Sequence, residues 1–427
     1  MLKAFSGFSL CMVLLLSGNF NLFGQINISP YSVNGLGDLN SAAFTSNIGM
    51  GGIGVSNGQG WYLNNLNPAL LTKNIFTVLE AGMVYESRSL ENDSGLSQSN
   101  SGGGLGYFAM SFPVMSNRWT SSLGIMPLTT VNYNILSENS VTGNDDIPVT
   151  FNFKGEGGLT QAYFSNGFRI TKNLSVGIKA SILFGSIINE SIALPGDENF
   201  PVNFLTAVVD QTSIHGFTLS SGLAYSLELK DKTFLNAGFT YDIESNLTAK
   251  KFKTSELRTL SGLNPISVDT LIDNSKGDIR LPSSLGFGLS YEILYKFTVG
   301  ADLHLSNWSD FQDFEESNSS LVNNYGINVG AEYTPDITSV DSYFKRVTYR
   351  LGFDFQKTPF EVAGRQLDDF GINFGASFPL KGLSTMNLAF KYGQRGTTDD
   401  GLIQEDYIRL YFGISFNDRW FQRRVLN

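Results

Sequence analysis

The sequence predicts an all-β protein: a transmembrane antiparallel β-barrel of about 14 strands with an N-terminal hatch inside the lumen. Three observations carry this. An export segment opens the chain, period-2 hydrophobicity then recurs from Asn74 to the end, and the connections between the alternating segments are long and short in turn.

The export segment comes first. Lys3 supplies a positive start, Phe8 to Leu16 is an apolar run, and small residues lead to a cleavage zone at Gly24-Gln25. The run is about half the ~20 residues that a membrane-spanning helix needs. Residues 1–25 are therefore expected to be a signal peptide. The only cysteine, Cys11, lies within it, so a mature chain has no disulfide framework and no cysteine metal site. A lipoprotein would carry its cysteine just after the apolar run. Beyond residue 25 no apolar stretch is long enough for a spanning helix, which leaves a closed barrel as the way to cross a membrane.

Composition agrees. Among 427 residues, 13% are aromatic and only 16% charged, with 45 Gly and 34 Phe, as many short strands with Gly-rich turns require. The net charge of −10 argues against nucleic acid as a partner, because phosphate neutralisation needs a basic surface.

The alternation is clearest in the last strand. Ile408, Leu410, Phe412, Ile414 and Phe416 share one face, and Arg409, Tyr411, Gly413 and Ser415 the other. The same split separates Phe297, Val299, Ala301, Leu303 and Leu305 from Thr298, Gly300, Asp302, His304 and Ser306. It recurs around Val347, at 370–378 and at 386–392. Periodicity alone fits a soluble sandwich as well as a barrel, so the connections decide. Long ones are expected at 89–103, 138–156, 191–211, 248–279, 309–321, 359–366 and 395–403. Short ones fall near 115–118, 172, 230–232, 294 and 380–383, and 334–345 is the one departure. Short turns on one rim and long loops on the other are the outer-membrane pattern.

Residues 26–73 do not alternate. They are rich in Gly, Asn and Ser yet contain Tyr31, Leu36, Phe44, Ile53, Trp61 and Leu66, as a segment packed inside the barrel would. Fourteen strands leave a lumen too wide for wall side chains to fill. The domain reading is 1–25 signal peptide, 26–73 hatch and 74–427 barrel.

The hatch carries Gly49-Met50-Gly51-Gly52 and ends on Asn67-Pro68-Ala69. Leu281-Pro282-Ser283-Ser284, Ala301-Asp302 and Asn307-Trp308-Ser309 follow, then Tyr349-Arg350-Leu351-Gly352, Lys357-Thr358-Pro359 and Gly371-Ile372-Asn373-Phe374-Gly375. This ordered set resembles the long-chain fatty-acid transporter family of outer-membrane barrels (FadL/TodX-like), over most of the mature chain. The resemblance implies passive uptake of hydrophobic small molecules, such as long-chain fatty acids or aromatic hydrocarbons, through a hatch-gated lumen with lateral release. It implies Gly49, Gly51, Gly52, Asn67, Pro68 and Ala69 as hatch elements. The alternative is a same-fold accessory or shuttle protein of a type IX-like secretion apparatus, with a secretion-system partner.

Several residues stand out beside this frame. Asn-Pro also simply starts a turn, a reading compatible with a hatch role. Pro127 lies inside an otherwise good strand and Pro113 interrupts the one before it, where proline cannot donate to the ladder. Together they are expected to mark a lateral exit, or else bulges near a rim. The inward faces carry Arg169, Lys179, Asp302, Glu332, Arg350, Asp354, Lys391 and Arg409. Most should form cross-strand pairs such as Glu332 with Arg350, and Arg350, Lys391 or Arg409 is a candidate contact for a ligand carboxylate. The loop 191–211 contains Phe200, Phe204, Leu205, Val208 and Val209, with the 204/205/208/209 spacing of an apolar helix face, and Phe200, Phe204, Leu205 and Val208 are expected as an outer docking site, or else as a short helix packed on neighbouring loops.

Catalysis has little support. His215 and His304 are the only histidines, and Ser306 shares a face with His304, but residues two apart on a strand seldom align for a reaction. Gly49-x-Gly51-x-x-Gly54 matches a dinucleotide fingerprint by letter but lacks the buried strand before it and the acidic residue after it. No enzyme, cofactor or metal is expected. The expected state is a monomer in the outer membrane of a Gram-negative bacterium, with membrane lipids and a hydrophobic small molecule as partners.

Overall fold

The alternation is realised with the large residues outward and uncovered. On the last strand Ile408, Leu410, Phe412 and Phe416 are exposed, while Tyr407, Gly413 and Ser415 are buried. Tyr349, Leu351 and Phe353 are likewise exposed around buried Arg350. A soluble sandwich would bury the large set, whereas a barrel in lipid leaves it bare.

The computed structural model describes residues 29–141, 144–196, 203–260, 264–314 and 321–419. The expected signal peptide and Phe200 lie outside them. The barrel strands are β1 (Thr77–Glu91), β2 (Ser97–Met115), β3 in two pieces (Trp119–Pro127 and Thr129–Val141), β4 (Asn144–Arg169), β5 (Leu174–Pro195) and β6 (Phe204–Lys230). β7 (Thr233–Asp242 and Ser245–Thr259) and β8 (Pro265–Leu281 and Ser284–Ile293) also run in two pieces. β9 (Phe297–Ser306), β10 (Asn324–Tyr333), β11 (Thr348–Val362), β12 (Arg365–Pro379), β13 (Thr385–Arg395) and β14 (Gln404–Asp418) complete the wall. Each strand pairs antiparallel with the next, and β14 pairs with β1 from Gln404↔Glu91 to Asp418↔Thr77, which closes a 14-strand barrel.

One rim has tight turns at 116–118, 170–173, 231–232, 294–296 and 380–384, with 334–347 as its long connection. The other rim differs from expectation. Much of 89–103, 138–156, 191–211, 248–279 and 359–366 is strand, not loop, since the flanking strands continue outward, β3 through β8 the farthest past the apolar band. β6 has 27 residues and β9 only 10. A spanning strand needs ~9–11 residues, so the extra length stands beyond the bilayer as a tall sheet on one side. The inner face of that sheet packs Ile187, Ile214, Leu247, Ala249 and Ile279 into a buried apolar cluster, while its outer face lies beyond the apolar band and no longer needs large apolar residues, so the contrast that marks a strand in sequence weakens while backbone pairing persists. Phe204, Leu205 and Val208 lie on β6: Phe204 is exposed and Leu205 buried, so they split between two faces and form no apolar helix.

The N-terminal segment threads the lumen. It begins at the outer mouth, where the Tyr31 hydroxyl donates to Ile403 O at 2.7 Å, and ends at the inner rim, where Asn417 Nδ2 donates to Trp61 O at 2.8 Å. It contains a short helix α1 (Thr45–Ile48) and a 3-10 turn, Pro68–Lys73. The wall meets it with glycines. A Cβ on Gly238 would lie 1.9 Å from Val55 O, and one on Gly352 2.1 Å from Gly51 N, so plug backbone rests directly on strand backbone. At its outer end the plug itself contributes Tyr31 and Leu36, which pack with Trp308, Phe311, Leu321, Phe360 and Leu402 into an apolar core that caps the outer mouth.

Candidate functional site

Between this outer cap and the plug lies a cavity of about 470 Å³. Wall positions facing inward supply Gln161, Lys179, Asp242, His304, Asp354, Lys391 and Arg409, and the plug supplies Asp38, Asn40 and Leu66. Its lining is mixed, with Leu128, Leu183 and Ile243 among the charges.

The charges are mostly neutralised in place. Lys391 Nζ meets Asp354 Oδ2 at 2.5 Å, and Arg409 pairs with Glu86. Arg350 lies outside the cavity. Its Nε donates to Glu332 at 3.0 Å and its Nη2 to the Tyr62 hydroxyl at 3.0 Å, which pins the plug to β10 and β11. The three bases singled out in the sequence are thus each engaged by a carboxylate, and the Glu332–Arg350 pair is present. Lys179 differs. It is 7% exposed, lines the cavity and donates to Asn65 O at 3.3 Å, and no carboxylate stands within ion-pair reach of it among the described residues.

A buried network fixes the start of the plug. Arg395 holds Asp38 at 2.8 Å and Glu405 at 2.6 Å, Ser29 Oγ donates to Glu405 at 2.6 Å, and Arg88 joins Glu405 to Glu86. Lower down, Asp302 accepts from the backbone N–H groups of Gly54 and Val55 at 2.7 and 2.8 Å. Asp302 is inward as expected, but its role is to hold the plug rather than to pair across strands.

The hatch residues are brought together on two sides of the plug. Gly51 and Gly52 take φ of +74° and +84° in the turn after α1, where a side chain is strained. Gly49 abuts Gly375, a contact that a Cβ would close to 2.8 Å. Asn67 caps the Pro68–Lys73 turn by accepting from Ala69 N at 3.0 Å, and also donates to Val55 O and Leu223 O. The turn-starting reading of Asn-Pro is therefore realised, and it locks the plug to β6.

The wall is open at one seam. β2 pairs with β3 only from Phe108↔Ile125 to Met115↔Trp119. Above that, β2 pairs only with β1, and the outer piece of β3 pairs with β4 and with two plug residues, Asp38↔Thr130 and Leu39↔Thr129. Pro127 ends the inner piece of β3 where the ladder would continue to Gly106, and Leu128 is an extra residue between the Pro127↔Thr160 and Val131↔Gly157 pairs. A bulge falls at Gly106 on β2, and Gly157 and Gly158 take φ of +112° and +138° on β4. A small pocket lies against this seam, lined by Ala43, Met83, Val84, Gly106, Met126 and Pro127, and it shares Asn40, Ser41, Arg409 and Tyr411 with the large cavity. Pro113 is not part of the seam. It pairs with Thr120 beside a bulge at the inner rim, so the two prolines lie at opposite ends of the paired stretch. The two glycines and the bulge were not singled out in the sequence, although Gly157-Gly158 inside a strand pattern is the signal that finds them.

Metal sites are absent among the described residues. The comparisons with known proteins fit this architecture. A family model described as BamG matches residues 1–427. Among solved structures, the CymD monoaromatic hydrocarbon channel is 15% identical, with 90% of this chain and 100% of that one covered and a TM-score of 0.57. The toluene transporter TodX of P. putida is 16% identical, with 90% and 100% covered and a TM-score of 0.56. A FadL homologue of Pseudomonas aeruginosa is 14% identical, with 88% and 98% covered and a TM-score of 0.55. These likenesses share the fold that the sequence resemblance implied, while the family model carries a different name. No curated protein matches in sequence.

Proposed function

The chain belongs to the BamG family, and from its barrel, plug and open seam we propose that it is an outer-membrane channel for passive uptake of hydrophobic small molecules. The observation that carries this is the seam between β2 and β3. A ligand held between the cap and the plug has a continuous series of shared lining residues from the large cavity, past Asn40 and Tyr411, to the apolar pocket at Pro127 and the lipid-facing wall. The channel, transporter and homologue named above are proteins of the same fold, which supports the reading. The mixed lining suits an amphiphile such as a long-chain fatty acid, with Lys179 as the carboxylate partner in place of Arg350, Lys391 or Arg409. Gating requires movement of the cap and of plug residues 29–40, and the seam itself supplies lateral release. The inner rim of tight turns then faces the periplasm.

The test combines mass spectrometry of small molecules extracted from the purified protein with uptake of a labelled fatty acid by cells with and without the gene. Co-purifying lipid and gene-dependent uptake are expected. No ligand, no uptake and a co-purifying protein partner would replace this reading with the secretion-accessory role.

A further inference from the structure

The net charge of the chain is −10, yet its inner rim is basic. Every one of the six turns there carries an exposed base, and each base has an exposed apolar neighbour. Arg118 lies three residues after Met115 and one before Trp119, Lys172 two after Ile170, and Lys232 three after Leu229, all exposed. Lys296 follows Tyr295, Lys345 follows Phe344, and Lys381 follows Leu380. Acidic residues are fewer on this rim: Asp231, Asp336 and Asp341 in the turns, with Glu228 and Asp418 at the ends of β6 and β14. Among the described residues none of the six bases stands within ion-pair distance of a carboxylate; the salt bridges run instead through the lumen and the tall outer sheet.

We propose that this rim is a binding ring for anionic phospholipid headgroups of the inner leaflet. The apolar member of each pair continues the lipid-facing band, at the depth where acyl chains begin. The base beside it then stands at phosphate level, on a flexible stem that reaches the headgroup. A zwitterionic headgroup offers the same phosphate but cancels it with its own cation, so the selected lipid is the anionic one. Repetition in all six turns, which are unrelated in length and sequence, argues for a function of the rim rather than of one turn. The inference rests on the barrel spanning a bilayer with this rim in one leaflet, and not on what passes through the lumen. Failure of the uptake test therefore leaves it standing.

The experiment uses the whole protein reconstituted in nanodiscs of phosphatidylcholine containing phosphatidylglycerol as a minority, about one part in five, so that electrostatic selection is visible. Lipids retained after gentle delipidation are quantified by mass spectrometry. Enrichment of phosphatidylglycerol over bulk by about fivefold is expected, the preference that ~1 kcal/mol per engaged base gives. The variant K172E/K232E/K296E/K381E should bring the ratio back to bulk. K250E/K276E, two charge reversals on exposed bases of the outer sheet, should keep the enrichment, whereas the two-site rim variant K232E/K296E should lower it. Should the rim variant fail to fold, high salt applied to the wild type must abolish the enrichment. Bulk composition around the wild type, or equal enrichment in the rim variant, overturns the proposal.

Discussion

The seam that closes the barrel and the seam beside Pro127 are built from the same kind of strand and behave oppositely. β14 and β1 pair along all 15 residues of β14, whereas β2 and β3 part above Phe108 and Ile125. Outward residues are large and apolar on both, so the difference does not come from hydrophobic patterning. It comes from backbone chemistry: a proline without an N–H, a bulge at Gly106, and two glycines in the left-handed region on β4. The plug start reflects the same contrast. Towards β13 and β14 it is held by buried charges, Asp38 and Ser29 with Arg395 and Glu405; towards β3 it is held mainly by backbone pairing at Thr129 and Thr130.

Removing the ionic side should have the largest effect. Arg395→Ala leaves Asp38 and Glu405 buried without their common partner, and breaking such a pair costs ~3–5 kcal/mol. A large fall in the thermal midpoint of the folded barrel is expected, together with ion conductance in planar bilayers as the plug start loosens. A wild-type midpoint and no conductance would mean that the backbone stitch to β3 suffices.

These features were unequally legible in the sequence. The inner rim was readable to within a few residues, because there the lipid imposes strong alternation up to a tight turn, as from Ile408 to Phe416. The outer ends were not, because Lys250, Lys251 and Lys253 alternate with nothing, yet their strand pairs with β6 and β8. The helix spacing at Phe204, Leu205, Val208 and Val209 misled because four apolar positions fit two periods at once, and only the neighbouring strands decide. Pro127 was legible as an anomaly in a strand. That Pro113 is not its companion depends on register, which sequence does not fix.

The seam glycines come next in size. Gly158→Val places a β-branched side chain at φ +138°, with its Cβ 2.3 Å from Thr129 O. A loss of ~1–3 kcal/mol is expected from backbone strain, with a shift in the β3–β4 register and loss of uptake. Normal stability would show that β4 tolerates the change and that the glycines do not set the kink.

Lys179→Met tests the cavity rather than the wall. Losing a charge-assisted hydrogen bond of ~1.5–3 kcal/mol should raise the half-saturating concentration of a fatty acid at least tenfold. A neutral hydrocarbon of similar length should be taken up as before. Equal loss for both ligands would assign Lys179 to holding the plug through Asn65 O instead.

Pro127→Val is the mildest change and bears most directly on the comparison. It adds one N–H at the position facing Gly106, and β-branched valine suits a strand. One net hydrogen bond of ~1 kcal/mol shifts an open–closed balance about fivefold, so uptake should fall by about that factor while the thermal midpoint holds or rises slightly. Pro127→Val added to Gly158→Val should then change uptake little further, since both act on one opening. Unchanged uptake would show that the Gly106 bulge and Gly157-Gly158 keep the seam apart without the proline, or that the ligand leaves elsewhere. The Gly158→Val variant separates those two outcomes, because only the first predicts that it still abolishes uptake.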